Sequence, residues 1–176
     1  NRGATGEDTD ARRVYVDAVA EVAGRDGNVL VGMPNYAEAE WMAGRLDERL
    51  DSPVLLDESS DDGATERLKT DFFAGGSKTL VTSLRGTLTE GVDYRGDRLH
   101  AAVVCGVPLV DTTRPRTQAV VTAYDRAFGG DGGGDGPGTG GRSGFETTLT
   151  VPAVRKARQA SGRVSRGPEE RGMRVL

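Results

Sequence analysis

The sequence predicts an α/β fold, a mainly parallel sheet covered by helices on both faces. Three observations carry this expectation. Short apolar runs alternate with segments of helical periodicity along nearly the whole chain, the pattern of strands joined by crossover helices. The strand-like runs are continuously apolar, as strands buried on both faces are. The chain has 176 residues, 36% of them hydrophobic and 28% charged, enough for one core of modest size.

Residues 1–9 read as a polar tail. Helical spacing of Val14, Ala18, Val19 and Val22 predicts an amphipathic helix over 10–24, capped by Thr9 or Asp10 and stopped by Gly24 or Gly27. Residues 29–33 form the first strand. Pro34-Asn35 opens a second helix to about Leu50, with Trp41, Met42, Leu46 and Leu50 inward. Residues 53–56 form a second strand and 64–74 a helix with Leu68, Phe72 and Phe73 apolar. Residues 78–83 form a third strand, followed by a polar loop with several glycines from 84 to 98. His100 to Val107 read as a fourth, Val-rich strand, and a helix is expected over 114–128. Ten of the 26 glycines fall in 129–144, a segment that could order only at an uncompensated entropy cost and reads as a flexible surface insertion. A helix over 151–165 and a fifth strand at 172–176 complete the pattern. The expected organisation is a tail and leading helix over 1–27 and one α/β domain over 28–176. The absence of an initial Met and the strand at the end point to a trimmed chain.

One Cys and one His exclude an internal disulfide and a four-ligand Cys/His zinc site. No apolar run reaches the roughly 20 residues of a membrane helix, and no secretory signal is visible, so a reduced, cytoplasmic setting without a membrane is expected. Net charge is −4, but residues 1–141 hold 15 basic and 24 acidic side chains while 142–176 hold 8 and 3. Of the basic residues, 20 are Arg and 3 are Lys. A surface poor in Lys and rich in Asp suits a salty cytosol, and clustered Arg suits phosphate.

Three patterns invite chemistry that their context refuses. Gly136, Gly138 and Gly141 fit G-x-G-x-x-G, but a helix and not a strand precedes them. Val54-Leu55-Leu56-Asp57-Glu58 looks like a strand carrying metal-binding acids, yet no phosphate loop exists upstream, and the segment reads as a strand entering a solvated acidic loop. His100 and Cys105 lie five apart on one predicted strand, hence on opposite faces, which excludes a catalytic pair and leaves Cys105 a small buried hydrophobe.

Two segments carry chemistry. Residues 85–97 follow the third strand at its carboxyl end, where parallel sheets bind ligands. Arg85 offers a planar cation, Glu90 and Asp93 offer acceptors, and three glycines allow close backbone approach. On the last predicted helix, Gln159, Arg163 and Arg166 share one face at i, i+4 and i+7, with Arg155 extending the stripe and no acid between Val151 and Arg166. Gly162 in mid-helix costs about 1 kcal/mol, a cost tolerated where a ligand or backbone must approach.

Together these segments resemble the second RecA-like motor lobe of superfamily 2 helicases, of the XPD/DinG type. Arg85-Gly86 leading to Glu90-Gly91-Val92-Asp93-Tyr94 resembles motif V. Gln159-Ala160-Ser161-Gly162-Arg163-Val164-Ser165-Arg166 fits the motif VI pattern Q-x-x-G-R-x-x-R. Val103 to Pro108 is similar to the family strand ending in Gly-Val-Pro, and residues 29–36 resemble motif IV. The resemblance covers about 28–176 and implies a RecA-like three-layer fold. It implies that Arg163 and Arg166 are arginine fingers for ATP bound with Mg2+ on a first lobe, and that Gln159 senses the nucleotide. Glu90, Gly91 and Asp93 would link the nucleotide cleft to a single-stranded DNA track touched by Arg85, Thr87, Asn35 and Tyr36. The phosphate loop, the metal-binding acids and the iron–sulfur cysteines belong to the family's first lobe and are not in this chain. Two other readings compete: a non-catalytic nucleic-acid-binding or adaptor module derived from such a lobe, and an unrelated Rossmann-like nucleotide enzyme.

Overall fold

The structure, a computed structural model, describes residues 9–58, 62–86, 88, 98–106, 110–128, 143–162 and 172–175. Two compact units divide the chain: residues 1–108 with 157–176, and residues 109–156.

The first unit holds the sheet. Its elements are α1 (Asp10–Ala23), β1 (Val29–Met33), α2 (Tyr36–Asp47), β2 (Val54–Leu56), α3 (Asp62–Phe72), β3 (Thr79–Ser83), β4 (Ala101–Val104) and β5 (Met173–Val175). The strands lie in the order β2-β3-β1-β4-β5 and every pairing is parallel. The predicted fold class is the observed one. Register places Val31 between Val81 and Val103 at the centre.

Alternation along the strands builds a core on each face. Val29, Val31, Met33, Val81 and Val103 pack in one cluster with Val16, Val19 and Val22 of α1 and Met42, Ala43 and Leu46 of α2. Leu30, Leu80 and Ala102 join Phe72, Leu88 and Leu99 on the other side.

The inward stripe of α1 differs from the expected one. Val16, Val19, Val22 and Ala23 are buried, whereas Val14 is 66% exposed and Ala18 faces solvent. Two apolar stripes run along this helix, and the buried one also lets Arg12 lie over the Trp41 ring, 4.8 Å from its centroid, and pair with Glu38. β1 has its predicted bounds, β2 and β3 each start one residue later than the periodicity predicts, and β4 is the most shortened, ending at Val104.

The second unit contains α4 (Pro115–Phe128) and a π-helical turn (Glu146–Thr150) that leads into α5 (Val151–Ser161), whose residues from Ala157 onward belong to the first unit. Pro152 explains the π turn. Proline has no N–H for the carbonyl four residues back, and its ring would clash there. The wider turn answers this with the Val151 amide bonded to the Glu146 carbonyl, five residues back. Residues 129–142 of the Gly-rich segment lie outside the described residues. Its last two residues do not fit a free insertion: the Ser143 hydroxyl accepts the Glu146 amide at 3.1 Å, and the Gly144 amide donates to the Asp125 carboxylate.

α5 runs to Ser161, and residues 163–165 of the predicted helix lie outside the described residues. The Ser161 hydroxyl donates to the Arg158 carbonyl at 3.1 Å, and Gly162 follows.

Candidate functional site

β2, β3 and β1 are neighbours and parallel, so their carboxyl ends open on one edge. The segments that follow them bring Asn35, Tyr36, Asp57, Arg85 and Gly86 to that edge. A parallel sheet presents loop residues there and turns its other end to packing.

After β1, Pro34 and Asn35 lead into α2. Asn35 is extended, and its side-chain oxygen accepts the Glu38 amide at 2.9 Å, capping the helix. The carbonyl of this expected track residue is thus engaged by the fold. Tyr36 follows in the first turn and keeps 36% of its surface exposed. Burial of its hydroxyl and, next, the nearby Asp57 carboxylate hold the phenol above its ordinary pKa of 10.0.

After β2 comes Asp57, which sequence reasoning placed in a solvated acidic loop. The structure corrects this. Asp57 is 5% exposed, its amide donates to the Val81 carbonyl at 2.9 Å, and its Oδ2 accepts the Thr82 hydroxyl at 2.7 Å. Because Leu56 pairs with Val81, the residue that follows β2 falls beside Thr82. Glu58 is exposed as expected.

After β3, Leu84 is buried and Arg85 is exposed. The Arg85 amide donates to the Ser83 hydroxyl at 3.2 Å, and the Gly86 amide to the Ser83 carbonyl at 2.8 Å. The start of the expected motif V is therefore a tight turn, pinned by Ser83, that holds Arg85 outward. A Cβ at Gly86 would stand 3.0 Å from Asp57 Oδ2, 3.1 Å from the Ser83 carbonyl and 3.1 Å from the Tyr36 hydroxyl, so only glycine fits without displacement. Thr87, Glu90, Gly91 and Asp93 lie outside the described residues.

After β4, Cys105 is buried and Gly106 takes φ +84, the left-handed region that favours glycine. His100 and Cys105 flank β4 at opposite ends, the first exposed and the second buried, so the strand's length separates them.

The helix carrying Gln159 reaches the same edge. Ala157 and Ala160 of α5 pack in one buried cluster with Leu84, just before the Arg85 turn, and with Val104, the last residue of β4. Gln159, between these alanines, is exposed, as is Arg155. Arg163 and Arg166 lie outside the described residues. Among the described residues no group of three or more His, Cys, Asp or Glu side chains is placed to hold a metal ion, and no helix is long and apolar enough to cross a membrane.

Comparison with known proteins bears on the same features. No match is found among curated proteins. Two similar solved structures are XPD_APO, with a TM-score of 0.62 and 22% identity over 92% of this chain, and S. tokodaii Xpd4, with a TM-score of 0.56 and 15% identity over 93%. The chain spans 30% of the first and 29% of the second, and the likeness is one of fold, the RecA-like fold of XPD structures. The family model for the helicase C-terminal domain matches residues 19–176, which takes in both expected motifs and the whole sheet. The chain belongs to the family of helicase C-terminal domains, as the order of its motifs implies.

Proposed function

We propose that this chain is the second motor lobe of an ATP-dependent DNA helicase, completing a catalytic cleft whose other half lies on a first RecA-like lobe. Arg163 and Arg166 act as arginine fingers, stabilising the charge that spreads over the phosphoryl oxygens as ATP is cleaved. Gln159 senses the nucleotide. Glu90, Gly91 and Asp93 connect the cleft to a single-stranded DNA track that Arg85, Thr87, Asn35 and Tyr36 contact. Exposed Arg85 suits a phosphate, and the partly exposed Tyr36 ring suits base stacking. Mg2+ enters with ATP on the first lobe, which also carries any iron–sulfur ligands.

The observation supporting this reading most is the packing of Ala157 and Ala160 with Leu84 and Val104. It seats the end of α5, which leads directly to Arg163, over the carboxyl edge where the Arg85 turn begins. An anion held at that edge by a partner lobe would meet cations from both segments.

The test joins this chain to its cognate first lobe. Alone, the chain turns over no ATP. With the first lobe, single-stranded DNA stimulates turnover, and Arg163→Ala lowers it by about 10³-fold, the lower range for an arginine finger. ATP hydrolysis by the isolated chain overturns the reading. A salt-dependent DNA affinity that Arg163→Ala and Arg166→Ala leave unchanged, with no turnover in the joined protein, favours the adaptor instead.

A further inference from the structure

We infer that Asp57 and Thr82 form a positioning pair that sets the Arg85–Gly86 turn at the height where it meets the DNA backbone. The inference rests on the proposed motor-lobe reading and assigns a role to two residues that none of the expected motifs contains.

A carboxylate inside a sheet edge is unfavourable unless hydrogen bonds replace its water. Asp57 is buried and receives such a bond from Thr82, whose side chain is fully buried. What lies against the carboxylate is the turn itself. Oδ2, the oxygen that accepts from Thr82, stands 3.0 Å from the point where a Cβ on Gly86 would be. The same point is 3.1 Å from the Tyr36 hydroxyl, so the turn rests in a polar notch formed by the ends of β1, β2 and β3. From its inner side the turn is fixed by the Ser83 carbonyl and hydroxyl, and on its outer side it carries exposed Arg85.

Thr82 thus orients the carboxylate, the carboxylate bounds the turn, and the turn aims Arg85. A displacement of a few tenths of an ångström in the notch moves the guanidinium relative to a phosphate, and such shifts act on ligand geometry more than on global folding.

The experiment uses the two-lobe helicase, following ATP turnover against single-stranded DNA concentration at saturating ATP. DNA-free turnover, KM for ATP and Tm are measured alongside. Thr82→Val keeps the side chain's shape and removes its donor. It is expected to raise the half-saturating DNA concentration by about tenfold, leaving DNA-free turnover and KM for ATP within about twofold. Thr82→Ser, which restores the hydroxyl, returns the DNA response to that of the parent. Gly86→Ala pushes on the notch from the opposite side and shifts the same parameter, which keeps the test open if the Val variant folds poorly. The inference is overturned if Thr82→Val leaves the DNA response unchanged. A fall of all parameters together with Tm overturns it as well, since that is the behaviour of a merely structural pair. A parent protein that hydrolyses ATP without responding to DNA removes the motor-lobe reading and this inference with it. A responsive parent with unresponsive variants removes the inference alone.

Discussion

The two ends of the one parallel sheet use polar side chains in opposite ways. At the amino end, Asn28 spends its whole amide on backbone. Its Nδ2 donates to the Phe72 carbonyl at 3.2 Å and the Arg98 carbonyl at 3.1 Å, while its Oδ1 accepts the Lys78 amide at 3.1 Å. The Gly27 amide beside it donates to the Ser77 hydroxyl at 2.8 Å. Every one of these bonds ties one chain segment to another. At the carboxyl end, Asp57 and Thr82 bond side chain to side chain and the adjoining turn holds Arg85 in solvent. One end ties chain segments together through side chain-to-backbone bonds, and the other pairs two buried side chains beside an exposed Arg85.

The contrast gives its largest expected effect at Asn28. Asn28→Ala leaves two carbonyls and one amide without their partner, and each group left unpaired away from water costs roughly 1–3 kcal/mol. A total loss of about 3 kcal/mol is expected in urea unfolding, because partial exposure lets water replace some of what is lost. A loss below about 1 kcal/mol would break the comparison, since the amino end would then not be the part that ties the fold together.

At the carboxyl end the corresponding stability effect is smaller. Gly106 sits at φ +84, and a Cβ there would approach the Pro34 ring at 3.1 Å. Gly106→Ala is expected to cost about 1–2 kcal/mol from the left-handed backbone alone, read as a lower urea midpoint with an unchanged slope. A cost exceeding that of Asn28→Ala would reverse the ranking of the two ends.

Much of this architecture was legible because strands buried on both faces and amphipathic helices leave different periods in a sequence. The order of strands and helices, and the turn after β3, follow from that. Other features depend on partners distant in sequence. Asp57 looked solvated because Glu58 and a polar run follow it, whereas its burial is decided by Thr82, 25 residues later on a neighbouring strand. Asn28 carried no signal beyond that of a loop residue, since its three partners come from three separate segments. In α1, Val14 and Val16 are equally apolar, and the choice between their stripes rests on Arg12 meeting Trp41 and Glu38 of α2. Of the candidate site, the order of the segments and the turn after β3 were legible in the sequence, and the structure leaves Arg85 and Gln159 exposed, while the capping use of Asn35 is a local hydrogen bond that the motif does not express.

The smallest effect concerns Cys105, the buried residue just past β4, where the carboxyl end looks most like ordinary core. Burial pushes its thiol up to about 12 from an ordinary value of 9.0. At pH 8 its thiolate fraction falls on the order of a thousandfold below that of a free cysteine, so iodoacetamide labels it at a correspondingly slower rate until urea unfolds the chain. The same shift sets a pH dependence. Above about pH 9 the unfolded thiol releases its proton while the folded one keeps it. The folded state then binds more protons, and stability falls as pH rises toward 12. Between pH 8 and pH 10 the parent is expected to lose about 1 kcal/mol more than Cys105→Ala in urea unfolding. Labelling of the folded chain at the free-thiol rate, or identical pH slopes for parent and variant, would mean that Cys105 is open to water and that this edge admits solvent beneath Gly106.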